Sequence, residues 1–197
     1  MDLSSQTIVI TGLGGQGIVK FIQILGDALT SKNFTVISSE THGLSQRGGN
    51  VKCFIRYGNA LTSPLPLNYS ADIIITLEKS CILDVLEYAR RDKATRLIIT
   101  EYVKPLKNQN YPSDDFFKQV LSTYSKEIFY LDIDKAKLDN KFLNTFMLGF
   151  ILSFLPLKLE NLKTSLRKHF LNDDLERNLK FLQSGFEFAR SELEKND

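Results

Sequence analysis

The spacing of apolar and polar residues divides this chain into a region of alternating strands and helices and a region of helices alone. Short apolar runs rich in β-branched residues predict strands at 7–11, 34–40, 50–58, 71–78, 96–101 and 128–133. Apolar residues at three- and four-residue spacing predict helices at 18–32, 79–91 and 114–126. The helix at 79–91 ends in two arginines, which suit its C-terminal dipole. Strands that alternate with helices indicate a mostly parallel sheet, so we expect an α/β, Rossmann-like fold with flanking helices.

The C-terminal third carries helical periodicity. We therefore expect one domain over 1–197, built from an α/β core at 1–134 and a helical extension at 135–197. Four phenylalanines form a stripe at four-residue spacing in this extension: Phe142, Phe146, Phe150 and Phe154. Burial in the core is the favoured explanation of the stripe, and a subunit interface is the alternative. A non-catalytic scaffold, in which these helices serve assembly alone, is one hypothesis for the whole protein.

Charge balance and the lengths of apolar runs argue against several classes of protein. The 25 basic and 23 acidic residues leave a formal charge of +2, which argues against a dedicated nucleic-acid binder. The most apolar run, 142–156, is too short for a membrane-spanning helix, and the N-terminal residues lack the pattern of a signal peptide. We expect a cytoplasmic protein that binds neither nucleic acid nor a membrane.

Two cysteines occur in the sequence, Cys53 and Cys81. Because they form no C-x-x-C pair, the cysteines of this chain cannot by themselves build a zinc site or an iron–sulfur cluster. We expect both to be free buried thiols in a reducing compartment, and we expect no metal site.

The clearest motif is GLGGQG, in which Gly12, Gly14 and Gly17 match G-x-G-x-x-G between a predicted strand and a predicted helix. Such glycines allow a phosphate to approach the backbone, and the helix N-terminus attracts anions. Glu40 ends the second strand, where dinucleotide-binding folds place the carboxylate that binds a ribose hydroxyl. The motif fits a cofactor site or a turn that only connects strand to helix. A stand-alone NAD(P)- or FAD-binding oxidoreductase is therefore an alternative function, although no residue set for hydride transfer is evident.

A second polar stretch, ETHGLSQRGG, follows the second strand. Arg47 can bind a carboxylate or phosphate in bidentate fashion, and the two glycines after it can present N–H groups to an anion. His42 is a ligand or interface contact, a proton carrier or a plain loop residue, whereas His169 is expected to be a surface or packing residue. Arg56 lines the same region or is a solvated strand residue, and Glu78 is expected to reach the same edge. Both loops follow strands, so we expect them to share the carboxyl edge of the sheet, where ligands bind.

The segments GLGGQGIVK, THGLSQRGGNVKCFIRYG, SPLPLNYSADIIITLE and ERNLKFLQSGFE resemble the gamma subunit or gamma domain of the 2-oxoacid:ferredoxin oxidoreductases. The order and spacing of these segments match over nearly the whole chain. The wording HGLSQRGG is most similar to the beta subunit of indolepyruvate ferredoxin oxidoreductase, the arylpyruvate-specific branch.

This resemblance implies a subunit of an enzyme complex, inactive in isolation. Such complexes oxidatively decarboxylate a 2-oxoacid to acyl-CoA and CO2 and reduce ferredoxin. Thiamine diphosphate and the iron–sulfur clusters are expected in a partner subunit, with coenzyme A (CoA) as co-substrate and no cofactor tightly bound to this chain. Substrate choice is expected to depend on the partner.

The resemblance also implies which residues lie near CoA or the partner's active site. They are the matching positions of the two loops: Gly12, Gly14, Gly15, Gln16, Gly17, His42, Ser45, Gln46, Arg47, Gly48 and Gly49. Their expected role is positioning and anion contact, and no catalytic residue is expected in this chain.

Overall fold

The computed structural model describes residues 5–42, 49–59, 61–104, 110–133 and 138–194, with the backbone alone at residue 42. The strands are β1 (Gln6–Leu13), β2 (Thr35–His42), β3 (Asn50–Gly58), β4 (Ile73–Thr76), β5 (Arg96–Thr100) and β6 (Glu127–Leu131). The α-helices are α1 (Ile18–Thr30), α2 (Asp114–Leu121), α3 (Leu143–Ile151), α4 (Leu159–His169) and α5 (Asn172–Leu193). A 3-10 helix spans Lys79–Tyr88, and shorter 3-10 turns flank α3 at Asn140–Phe142 and Leu152–Phe154.

The sheet has the strand order β2-β3-β1-β4-β5-β6. β3 is antiparallel to both of its neighbours, β1 and β2. The other three pairs, β1–β4, β4–β5 and β5–β6, are parallel. The expectation of a mostly parallel Rossmann-like sheet is confirmed. β3 returns from the end of β2 and lies between β2 and β1, so both connections that follow β1 and β2 start at the carboxyl edge.

Successive side chains along each strand point to opposite faces of the sheet, and both faces are buried. Ile8 and Ile10 of β1 and Ile55 of β3 pack in a core with residues of α1, α3, α4 and α5. Val9 of β1 and Ile74 of β4 face the opposite core, which contains residues of the 3-10 helix and α2. Helices therefore cover both faces, as a largely parallel sheet requires.

The phenylalanine stripe lies mainly in the first of these cores. Phe142, Phe146 and Phe150 are buried, and Phe154 is partly buried against the same cluster. Burial, the favoured explanation of the stripe, is thereby confirmed for three of its members.

Two glycines allow α3 and α5 to cross with their backbones in contact. A Cβ atom on Gly149 would overlap the Leu182 carbonyl, and one on Gly185 would overlap the Phe146 carbonyl. The reciprocal pair fixes α3 against the longest helix of the described chain.

Two predicted helix ends were wrong. The segment predicted as a helix to 91 is a 3-10 helix that ends at Tyr88, because Ala89 turns extended and pairs with Ala71. The arginines beyond it do not neutralise a helix dipole: Arg90 forms ion pairs and Arg91 stacks on a tyrosine ring. Likewise, α2 ends at Leu121 and not at 126.

Candidate functional site

The glycine turn connects β1 to α1 at the carboxyl edge of the sheet. Gly15 has φ +96° and Gly17, the N-cap of α1, has φ +75°, values that L side chains rarely adopt. Gly12 leaves room for a neighbour, since a Cβ there would lie 2.6 Å from Oε1 of Gln16. The turn thus needs its glycines for backbone conformation and for close packing.

Gln16 holds this turn from inside. Its Oε1 accepts a hydrogen bond from the Leu13 N–H at 2.7 Å, and its Nε2 donates to the Leu77 carbonyl at 2.8 Å. The amide therefore connects the end of β1 to the end of β4. Both polar ends of this side chain bind the scaffold, so Gln16 shapes the turn.

The N-terminus of α1 borders an open cavity of about 430 Å³. Its lining residues are Leu13, Gly14, Gly15, Gly17, Ile18, Val19, Lys20, Gln23 and Val51. The N-cap Gly17 has no side chain to cap the helix, and no acidic residue lies in the first turn. Lys20 adds a positive charge, so an anionic group in this cavity is favoured by the helix dipole and by Coulombic attraction.

A second cavity, of about 270 Å³, shares Val19 and Gln23 with the first. Its other lining residues are Ile22, Ser38, Ser39, Glu40 and Cys53. Glu40 is exposed at the end of β2 and lies opposite Cys53 in the strand register. Because β3 separates β2 from β1, Glu40 is two strands away from the glycine turn.

Both cysteines are buried free thiols, as predicted. Burial, with a smaller effect of the Glu40 carboxylate, raises the pKa of Cys53 to about 12. Burial and the nearby Glu78 carboxylate raise the pKa of Cys81 as well. Both groups are thiols at neutral pH and therefore poor nucleophiles.

The second loop contacts the glycine turn through its last residue, Gly49. The N–H of Gly14 donates to the carbonyl of Gly49 at 3.0 Å. The backbone of His42 pairs with Val51 at the end of β2. The structure therefore ties one end of this loop to the glycine turn.

Four predicted contacts in that loop, Ser45, Gln46, Arg47 and Gly48, lie outside the described residues. Their part in binding stays a prediction, as does that of the His42 side chain.

Glu78 reaches the end of β4 but is buried, with 1% of its surface exposed. Its Oε2 accepts hydrogen bonds from the backbone N–H groups of Ser80 and Cys81 and from the Ser80 hydroxyl. Its Oε1 accepts from the Lys104 N–H and from the Tyr111 hydroxyl. The carboxylate therefore caps the 3-10 helix and anchors the segment after β5, a structural role.

Two further expectations are resolved by position. Arg56 pairs with Thr7 at the opposite edge of the sheet, and its guanidinium donates to the Ser63 carbonyl at 2.7 Å. Of its two predicted placements, the one that lines the glycine edge was wrong, because β3 runs antiparallel and carries residue 56 away from that edge. His169 packs as expected, with its Nε2 2.9 Å from Oδ2 of Asp27.

Sequence reasoning missed Asn144, the second residue of α3. Its Nδ2 donates to the carbonyl of Gly17 at 3.3 Å, and 8% of the residue is exposed. The contact joins positions 127 residues apart, which no local pattern reports. The available signal was a pair of polar residues, Asn144 and Thr145, within a helical stretch that is otherwise apolar.

The described residues contain no group of three or more His, Cys, Asp or Glu side chains that could hold a metal ion. In the same part of the chain, no helix combines the length and apolar character needed to cross a membrane.

Comparison with protein families gives a match over residues 7–188 to the family described as pyruvate ferredoxin/flavodoxin oxidoreductase. The chain is 29% identical over 189 residues to the indolepyruvate oxidoreductase subunit IorB of Methanothermobacter thermautotrophicus, covering 91% of this chain and 95% of that one.

Two solved structures share the fold. The gamma subunit of a keto/oxoacid ferredoxin oxidoreductase from Geobacter sulfurreducens superimposes with a TM-score of 0.66 at 20% identity, covering 94% of this chain and 99% of that one. The 2-oxoglutarate:ferredoxin oxidoreductase of Magnetococcus marinus, solved with 2-oxoglutarate, CoA and succinyl-CoA bound, gives a TM-score of 0.71 at 16% identity. That match covers 96% of this chain but 32% of the longer one.

Proposed function

The chain belongs to the pyruvate ferredoxin/flavodoxin oxidoreductase family. We propose that it is a subunit of a 2-oxoacid:ferredoxin oxidoreductase complex and that the thiamine site of this complex lies in another subunit. The observation that carries the proposal is the nearly end-to-end match to an indolepyruvate oxidoreductase subunit. The complex acts on an arylpyruvate such as indolepyruvate, as the name of this relative suggests.

The reaction converts the 2-oxoacid and CoA into acyl-CoA, CO2 and a proton. Cleavage of the bond to the carboxylate releases CO2, the sulfur of CoA forms the new thioester bond, and two electrons reduce two ferredoxins. Thiamine diphosphate and the iron–sulfur clusters of the partner supply the decarboxylation and the electron transfer. The isolated chain is therefore inactive.

The role of this chain is to complete the active site and to help admit CoA. The cavity at the N-terminus of α1 suits the negatively charged phosphates of CoA, since it is bordered by Lys20 and by first-turn N–H groups that have no partner within the helix. The second loop starts from the same edge and carries Arg47, which suits the same phosphates. The likeness to the M. marinus enzyme concerns the fold, so the support for a CoA site comes from the cavity itself.

An anaerobic pull-down of the tagged chain from its native cells tests the proposal. Mass spectrometry is expected to identify a larger chain with thiamine-binding and iron–sulfur motifs. The purified complex is expected to reduce ferredoxin with indolepyruvate only when CoA is present.

Recovery of the chain alone would refute the subunit assignment. Titration of that chain with NAD(P) and FAD would then test the dinucleotide-binding alternative.

A further inference from the structure

A set of side-chain hydrogen bonds runs from the glycine turn into the C-terminal helices. Asn144 donates to the Gly17 carbonyl, and its Oδ1 accepts from the Thr145 N–H at 2.8 Å. The Thr145 hydroxyl donates to Oδ1 of Asn178 at 2.5 Å, and Nδ2 of Asn178 donates to the Asp174 carbonyl at 2.7 Å. Asn144, Thr145 and Asn178 are all buried. This Asn144 network therefore links three elements that are distant in sequence.

The Gly17 carbonyl accepts two hydrogen bonds, one from Asn144 and one from the Phe21 N–H at 2.9 Å. In a trans peptide the carbonyl and the following N–H point in opposite directions. Fixing the Gly17 carbonyl therefore fixes the direction of the Ile18 N–H. Gly17 and Ile18 both line the cavity at the N-terminus of α1.

The residue at position 17 is confined by Asn144 as well as by its backbone angles. A Cβ atom on Gly17 would overlap the Asn144 amide. Asn144 lies in the first turn of α3, and the close contacts at Gly149 and Gly185 hold α3 against α5. The turn is thus held against the closely packed pair of α3 and α5.

From this geometry we infer that Asn144 is a positioning residue for CoA, an inference that rests on the proposed function. The amide holds the peptide group between Gly17 and Ile18 so that the first N–H groups of α1 are directed at the CoA phosphates. Asn144 acts through the backbone and does not itself bind CoA.

Ser165 provides a matched control. Its hydroxyl is buried and donates to the Ile24 carbonyl at 2.8 Å, so it also connects a C-terminal helix to the α1 backbone. Ile24 lies farther along α1 and does not line the cavity. Asn144→Ala and Ser165→Ala each remove one side-chain hydrogen bond to the α1 backbone, but only the Asn144 bond reaches the glycine turn.

Steady-state kinetics of the complex carrying each variant test the inference. Asn144→Ala is expected to raise the KM for CoA about tenfold, while the KM for the 2-oxoacid changes less than twofold. Ser165→Ala is expected to lower Tm and leave the KM for CoA unchanged. Equal KM values for CoA in the wild type and Asn144→Ala, or equal increases in both variants, would overturn the inference.

Amide hydrogen exchange of the full chain tests the positioning step without CoA. Asn144→Ala is expected to speed exchange of the Phe21 amide, and Ser165→Ala that of the Ala28 amide, which bonds to Ile24 within the helix. Unchanged Phe21 exchange in Asn144→Ala would refute the positioning role. A wild-type complex that needs no CoA would instead refute the proposed function. If Asn144→Ala does not fold, Asn144→Asp, which keeps the shape and loses the donor, is measured in its place with the same expectation.

Discussion

Gly14 donates its backbone N–H to the carbonyl of Gly49 at 3.0 Å, which ties the turn after β1 to the end of the loop after β2. The two residues are far apart in sequence, but Gly14 follows the last residue of β1 and Gly49 precedes the first residue of β3, and these strand ends pair at one edge of the sheet. A ligand in the cavity beside Gly14 therefore lies next to the point where that loop re-enters β3.

Arg47 provides the first test of this shared edge. We expect Arg47→Ala to raise the KM for CoA by about 10- to 100-fold or to weaken assembly, because a charge-assisted hydrogen bond contributes about 1.5–3 kcal/mol. The isolated chain should remain folded by circular dichroism. Arg167→Ala, which removes an exposed arginine of α4, serves as the control. A normal KM for CoA in an intact Arg47→Ala complex would contradict the role.

Gly17 and Gly26 lie at the start and within α1, and alanine should have opposite effects at the two positions. Gly17→Ala strains a backbone with φ +75°, and its methyl group overlaps Asn144, so we expect the free energy of unfolding to fall by about 3 kcal/mol. At Gly26 a Cβ would make ordinary contacts, the nearest at 3.7 Å, so Gly26→Ala should raise the free energy of unfolding by about 0.5–1 kcal/mol. Urea denaturation measures both. Equal effects would show that the turn relaxes.

The crossing of α3 and α5 should tolerate no side chain at its centre. Gly149→Ala puts a methyl group against the Leu182 carbonyl, and backbone cannot move aside as a flexible side chain can. We expect a loss of about 3 kcal/mol or more in the free energy of unfolding. Ser184→Ala, on the same helix as Leu182, should change it by less than about 0.5 kcal/mol. A mild effect of Gly149→Ala would mean that the helices can separate.

Alkaline pH should destabilise the chain through Cys53. Its pKa rises from 9.0 to about 12 on folding, so between these values the folded chain holds a proton that the unfolded chain has lost. The free energy of unfolding then falls as pH rises, by at most about 1.4 kcal/mol per pH unit from this thiol. Denaturation of Cys53→Ala at pH 8.5 and 10.5 should show a smaller fall than in the wild type. Equal falls would contradict the raised pKa.

Local pattern was sufficient for most elements and for the glycine turn. The strand β1 and the helix α1, which the glycine motif connects, together span Gln6–Thr30, where periodicity and the motif agree. Contacts across the fold were not predictable in this way. The amide of Asn144 reaches Gly17 because α3 packs beside α1, and Glu78 turns inward because its carboxylate caps a helix.

Strand order also changed how one sequence motif should be interpreted. In a dinucleotide-binding sheet β2 lies beside β1, and the acid at its end reaches the ribose of a nucleotide held by the glycine turn. Here β3 intervenes, and neighbouring strands are about 4.8 Å apart, so the carboxylate of Glu40 is displaced by roughly one strand width. Glycines and acid keep their order along the chain but not their distance in space. A nucleotide whose length matches the distance between glycine turn and acid in a dinucleotide-binding fold would not reach both the turn and Glu40. A longer ligand that extends along the edge of the sheet would reach both.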